Sequence, residues 1–300
     1  MPTKEQIDQY WEQGYFIADD AVEPGMLDEL EAATRRVRDK TRADEVDLRS
    51  NRGEGREPLV IWALFAPEFG EPAFAEYMLS KPIESYVHSF IGDQLRLGFQ
   101  IVFCTGNYAP YDTGWHRDFG PHEVQDGTEE EEMEILNRPI TRLKWHLALV
   151  DDPCLWVVPG SQRRYRTDAE RECLHNARRD SIAGEKQIEV KRGQTLFWSG
   201  NLIHRGRVPE EVEERLTLAA GLTKHHDTEP IRDPYPTDVD EVDERYRWRL
   251  ANNIRETLPG KMKLYYDRWR ALQKGSSEID AINEAVRKLG YTRWQEQKKD

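Results

Sequence analysis

From Leu95 to Leu222 the chain runs through a series of short apolar segments with no regular helix between them, and this limits the folds open to it. "LRLGFQIVF", "RLKWHLALV", "CLWVV", "QIEV", "QTLFW" and "RLTLAAGL" are rich in β-branched and aromatic residues and are separated by Gly, Pro, Asn and Asp. A parallel α/β sheet would alternate strand and helix, and neither a GxGxxG nor a P-loop pattern is present. The expected core is therefore an antiparallel sandwich or jelly roll.

Helices are expected on either side of it. The first ninety residues read mainly as helix: Thr3 and Gln6 suggest a capping box, and a second helix starts near Met26, after Pro24 and Gly25, with Leu27, Leu30 and Val37 on its apolar face. "KPIESYVHSFIG" places Ile83, Tyr86, Val87 and Phe90 on one stripe and stops at Gly92. Beyond about Thr223, "DEVDERYRWRLANNIRETL", "KMKLYYDRWRALQ" and "SEIDAINEAVRKLG" read as amphipathic helices carrying Tyr246, Trp248, Leu250, Tyr265, Trp269 and Leu272. The expected organisation is one domain over residues 1–300: helical support over 1–92, a mainly β core over 93–224, and a helical extension over 225–300 that covers the core or joins two copies as a homodimer.

A net charge of −13 over 300 residues, with no long basic block, argues against nucleic acid or an anionic membrane as partner and favours a small molecule. Cys104, Cys154 and Cys173 are odd in number and form no CxxC pair, which fits buried thiols in a reducing compartment. With no leader-like start and no apolar run near membrane-span length, the expected location is cytoplasmic.

Residues 114–120 read "GWHRDFG". On an extended segment, side chains at i and i+2 share a face, so His116 and Asp118 can offer a nitrogen and an oxygen to one point. The spacing alone is equally that of a surface His–Asp hydrogen bond. A second histidine raises the stakes: in "KRGQTLFWSGNLIHRGRV", His204 follows Leu202 and Ile203 in a segment whose composition points to a strand near the core. Two imidazoles and a carboxylate leave coordination positions open on a six-coordinate ion, as non-haem Fe(II) oxygenases require, whereas a closed zinc site would usually want a fourth ligand.

Arg215 bears on the same reading. If Val208 and Glu213 pair across "PEEV", Arg215 lies opposite Gly206 on the side of His204, about 7 Å along the sheet. That offset suits a five-carbon diacid whose keto-acid end meets a metal while its far carboxylate meets the guanidinium, with Gly206 leaving room. An exposed strand arginine among Glu210, Glu211, Glu213 and Glu214 is the alternative.

The segments "GYFIADDAVEPGMLDEL", "GWHRDFG", "HLALVDDPCLWVVPGSQ" and "KRGQTLFWSGNLIHRGRVPEEVEERLTLAAGL", spanning about residues 6–223, resemble the phytanoyl-CoA dioxygenase family of Fe(II)/2-oxoglutarate oxygenases. The resemblance implies a double-stranded β-helix core, iron on His116, Asp118 and His204, and 2-oxoglutarate clamped by Arg215. It also implies O2 as oxidant, ascorbate as a supporting reductant, and oxidation of a small-molecule C–H bond with release of succinate and CO2. Hydroxylation is the default outcome; desaturation, ring formation and epimerisation stay open, and the family includes enzymes of natural-product biosynthesis. Two details depart from the pattern: "PGSQ" ends in Gln162 where histidine is usual, and Gly206 stands where some members carry serine. Asp118 disfavours halogenation, for which related enzymes replace the carboxylate.

Thr217, Gln100 and Asn107 are further candidates for holding the keto acid, Thr217 because it has the face parity of Arg215. His122 breaks the strand alternation after Pro121. His146 alternates with Lys144 and Ala148 and reads as a pocket or core histidine, while His225 and His226 read as solvated. Between the HxD pair and the next strand, Glu123, Asp126, Glu129, Glu130, Glu131, Glu132 and Glu134 form either a lid that favours a neutral or cationic substrate or an ordinary solvated loop. The nearby arginines 163, 164, 166, 171, 178 and 179 either counter such a lid or bind an acidic substrate, while their neighbours Asp168, Glu170, Glu172 and Asp180 suggest a mixed, solvated surface. The rival functions are a jelly-roll protein that binds metal without turnover and a cupin-like metalloenzyme with no use for 2-oxoglutarate.

Overall fold

The computed structural model describes residues 1–46, 50–52, 57–62, 64–105, 111–118, 128–225 and 258–273. The elements run α1 (Lys4–Gln13), β1 (Tyr15–Ala18), α2 (Pro24–Arg42), β2 (Ser50–Arg52), β3 (Pro58–Ile61), α3 (Ala73–Met78), α4 (Lys81–Ile91), β4 (Leu95–Thr105), α5 (Glu129–Leu136), β5 (Arg142–Ala148), β6 (Asp152–Val157), α6 (Asp168–His175), β7 (Lys186–Val190), β8 (Thr195–Trp198), β9 (His204–Gly206), β10 (Arg215–Lys224) and α7 (Gly260–Gln273).

All six apolar runs become strands, in two antiparallel sheets with the jelly-roll arrangement expected. The larger sheet has the order β1-β8-β5-β10-β4-β3-β2 and the smaller the order β7-β6-β9. Alternation along each strand assigns its two faces. Leu216, Leu218, Ala220 and Leu222 of β10 and Leu143, Trp145 and Leu147 of β5 join the core beneath the helices, with Leu30 and Val37 of α2, Tyr86 and Val87 of α4, and Met262, Tyr265 and Tyr266 of α7. Ala148, Leu196 and Trp198 share a second cluster with Leu155 and Val157 of the smaller sheet, so the opposite face of the large sheet looks into the space between the layers.

The helix signals hold locally. Thr3 and Gln6 form the capping box of α1, and Gly14 closes that helix in the left-handed conformation. Gly92 ends α4, with Ile83, Tyr86 and Val87 buried and Phe90 packed against the core. The part of the C-terminal extension that is described, α7, lies on its own chain: Arg268 donates to the Leu95 carbonyl at 2.8 Å. The flanking segments 226–257 and 274–300 lie outside the described residues.

Two expectations are corrected. The N-terminal ninety residues are not helical support alone; they add β1, β2 and β3 to the large sheet, β1 pairing with β8. Strands of three or four residues are too short to display an alternation, and "SNR" has no apolar residue to display. Nor do β9 and β10 form a hairpin. β9 pairs with β6, while β10 runs between β4 and β5 with Arg215 opposite Thr105. The N–H of Arg207 is taken by the Cys154 carbonyl and that of Val208 by the Tyr111 carbonyl. Beyond the turn, Glu214 is held by Arg35 and Arg38 of α2, so the chain crosses from one layer to the other.

Candidate active site

Residues 114–118, the described part of "GWHRDFG", do not form a regular strand. Single bridges, Asp112 with Arg207 and His116 with His204, lay them along the free edge of β9. His116 and His204 exchange backbone hydrogen bonds at 2.9 Å each, and the Asp118 N–H donates to the Gly200 carbonyl at 2.9 Å. A Cβ on Gly200 would lie 2.9 Å from Asp118 Oδ2, so a side chain there must displace the carboxylate. Gly114 takes φ +71°, which glycine adopts without strain, and brings the chain against Arg178.

One ligand atom from each of His116, Asp118 and His204 lies within 4.8 Å of the others. Asp118 Oδ1 is 3.8 Å from His204 Nε2, and the imidazole centroids are 4.2 Å apart. His116 Nδ1 sits 2.8 Å from the Gly114 carbonyl and His204 Nδ1 2.9 Å from the Leu202 carbonyl. A carbonyl can only accept, so each Nδ1 carries the proton and each Nε2 keeps its lone pair, the arrangement that orients metal-binding histidines. Burial lowers both imidazoles, His204 to about 3, which keeps them neutral and able to ligate near pH 7. Burial pushes Asp118 up, but Lys144, His204 and His116 outweigh it and hold the carboxyl below the usual range. These donors fit a divalent cation of the iron type.

The face of the large sheet opposite them carries Lys144, His146, Arg215 and Thr217. Lys144 reaches Asp118 Oδ2 and lies 3.8 Å from the Trp198 ring centroid, a contact that no sequence pattern marks. His146 is a buried pocket-face histidine, edge-on to Phe103 and Trp198 and lowered to about 3 by burial and by Arg215. Arg215 is 2% exposed, so it is not the solvated strand arginine. It faces the interior from the second layer, and Gly206 does not make room for it: a Cβ there would meet Thr113 and Tyr111 at ordinary contact distance.

The partners of Arg215 could not be read from the sequence. Its Nη2 and Nε lie 3.2 and 3.3 Å from Asp152 Oδ2, and Nη1 donates to the Tyr111 hydroxyl. Thr217 Oγ1 donates to the same Asp152 oxygen, so Arg215 and Thr217 do share a face and a target. Burial raises Asp152, yet Arg215 and the hydrogen bonds from Thr217 and Cys154 bring it to about 2. Gln100 lies on β4 opposite Ala220, with its side chain outside the described residues, as are Asn107 and His122. Gln162 makes a structural contact, donating to the Trp11 carbonyl at 3.1 Å.

The acidic segment is described from Thr128 onward. Thr128 and Glu131 form a capping box that starts α5, leaving Glu129, Glu130, Glu131 and Glu134 exposed. Glu132 turns inward to Arg117 and Arg166, so Arg166 counters the acidic segment and is not on a solvated surface.

A family model described as phytanoyl-CoA dioxygenase matches residues 10–208. The chain belongs to the phytanoyl-CoA dioxygenase family. This is a family of non-haem iron, 2-oxoglutarate-dependent oxygenases, and the matched stretch contains His116, Asp118 and His204. No curated protein sequence matches the chain significantly. Among solved structures, EctD from S. alaskensis with 2-oxoglutarate and 5-hydroxyectoine is 17% identical, with a TM-score of 0.58 over 75% of this chain and 78% of its own. The epimerase SnoN from nogalamycin biosynthesis is 19% identical, with a TM-score of 0.52 over 74% and 83%. HygX from Streptomyces hygroscopicus with nickel and 2-oxoglutarate is 18% identical, with a TM-score of 0.53 over 74% and 87%. These neighbours share the family's fold with this chain.

Proposed function

We propose that this chain is an Fe(II)- and 2-oxoglutarate-dependent dioxygenase that oxidises, and by default hydroxylates, a C–H bond of a small-molecule metabolite. The observation that carries this is the convergence of His116, Asp118 and His204 on one point in a chain of this family. The two Nε2 atoms and the Asp118 carboxylate would hold the iron. When bound, iron would supply the O2 chemistry by which 2-oxoglutarate loses CO2, leaving succinate, while the substrate is oxidised.

The protein's own groups do the rest. The Gly114 and Leu202 carbonyls fix both imidazoles, and burial keeps them neutral. Trp198 packs against His204 at 4.5 Å and excludes water from that side. Lys144 orients the carboxylate from the opposite face. Natural-product neighbours such as SnoN support a substrate from biosynthesis of that kind. Buried thiols at Cys104, Cys154 and Cys173 accord with a cytoplasmic setting, and no described helix is long and apolar enough to cross a membrane. The reading includes a homodimer formed through the C-terminal helices, which sedimentation would test.

The decisive experiment adds O2 to the anaerobic protein loaded with Fe(II) and 2-oxoglutarate, in the presence of a metabolite pool read by mass spectrometry. Succinate and an oxidised metabolite should form together and disappear in His116→Ala. Tight metal binding without succinate would favour a non-catalytic protein; turnover without any 2-oxo acid would favour the cupin-like reading.

A further inference from the structure

Arg215 and Thr217 are the side chains assigned to the distal carboxylate of the cosubstrate, yet both donate to a carboxylate that the chain itself provides. Asp152 Oδ2 takes Arg215 Nη2 at 3.2 Å, Arg215 Nε at 3.3 Å and the Thr217 hydroxyl. Its other oxygen accepts from the Cys154 N–H at 2.9 Å, which ties the carboxylate to the start of β6. Asp152, Arg215 and Thr217 are all buried, at 4%, 2% and 0% exposed. The guanidinium is held further by the Tyr111 hydroxyl and by the Phe103 ring, 4.7 Å from Cζ.

We propose that Asp152 is an internal stand-in for the distal carboxylate of the cosubstrate and sets which 2-oxo acid this enzyme accepts. The inference rests on the oxygenase reading above. A buried guanidinium without a counterion strongly favours a diacid, because the incoming carboxylate is its only anion. Here the pair is already neutral. A distal carboxylate must either turn Asp152 away or enter as a second anion beside it, and both weaken the preference for a diacid. A 2-oxo acid with an uncharged tail meets no such repulsion. Asp152 therefore competes with 2-oxoglutarate and levels the difference between charged and neutral tails.

The test is calorimetric binding to the full chain loaded with Mn(II) under anaerobic conditions, with 2-oxoglutarate and with 2-oxopentanoate, which keeps the five-carbon length and lacks the distal charge. In the wild type the two affinities should lie within roughly tenfold of each other. Asp152→Asn keeps the size of the side chain and should tighten 2-oxoglutarate by roughly tenfold to a hundredfold, the scale of a close buried charge pair, while 2-oxopentanoate is unchanged. A wild type that prefers 2-oxoglutarate by more than about a hundredfold overturns the proposal, as does an Asp152→Asn protein that binds it more weakly, since Asp152 would then be orienting the arginine from behind. The wild-type ratio decides the matter even if the variant does not fold. Heat from neither acid with a protein that binds Mn(II) removes the oxygenase reading as well; heat from both with the opposite ratio removes this inference alone.

Discussion

Replacing Glu132 with glutamine should destabilise the protein more than any other single change among the described residues of the acidic segment. The carboxylate is 1% exposed and pairs with two guanidinium groups whose side chains are fully buried, Arg117 and, at 3.2 Å, Arg166. Arg117 also donates to the carbonyls of Ser161 at 2.8 Å and Arg164 at 3.2 Å. Burial lowers Arg117 to about 10 even though Glu132 opposes the shift, so the site is costly for a cation and the carboxylate offsets that cost. Breaking one partner out of a buried ion pair costs about 3–5 kcal/mol, against a total stability on the order of 5–15 kcal/mol for a domain.

The assay is urea unfolding of wild type and Glu132→Gln, checked by thermal melting. At roughly 2–4 °C per kcal/mol, the melting temperature should fall by about 10 °C. Arg117 lies between His116 and Asp118 in the chain, so the same variant should also bind a divalent metal more weakly, whereas Glu130→Gln, on the exposed face of α5, should change neither property. A loss below about 1 kcal/mol would refute the reasoning, since that is the range of a surface ion pair.

Gly200→Ala puts a methyl group 2.9 Å from Asp118 Oδ2 and should weaken metal binding at least tenfold, a factor of about 1.4 kcal/mol, measurable by metal titration with the fold intact by circular dichroism. Metal-free protein should lose stability as the pH falls from about 6.5 toward 3. His146 and His204 are held at about 3 by burial, so the unfolded chain takes up their protons first, and urea midpoints either side of that window read the loss. Met262→Ala, at a fully buried position of α7, should cost about 2–5 kcal/mol and show that the helix is part of the core; a cost below 1 kcal/mol would mean that α7 is only loosely attached.

The metal ligands were legible because their chemistry leaves traces in spacing. Ligand-type residues two apart between glycines, and a histidine directly after an apolar strand pattern, need only local geometry to be read. His116 and Asp118 nevertheless reach their position through single bridges to β9, not as members of a regular strand. Lys144 left no such trace: a lysine alternating with His146 on a strand has the pattern of a half-exposed strand, and only the pairing of β5 with β8 places it over Trp198. Glu132 was hidden in the same way. It is one glutamate in a run of acids, and the capping box at Thr128 determines which of them faces inward.

Arg215 shows most clearly what periodicity can deliver. Its parity with Thr217 was correct, and both side chains face the interior. The route to it failed, because alternation assigns a residue to a face and says nothing about which sheet the strand joins. Once β9 and β10 lie in different layers, the reach from His204 to Arg215 is no longer two residues along one sheet. It is the separation of packed sheets, on the order of 10 Å. That spacing is maintained by Ala148 and Leu196 from one layer against Leu155 and Val157 from the other. It also brings Asp152, at the start of β6, within reach of a guanidinium on β10 that shares no strand pairing with it. The setting of Arg215 is thus a property of interlayer packing, and for that reason its carboxylate partner could not be read from either strand alone.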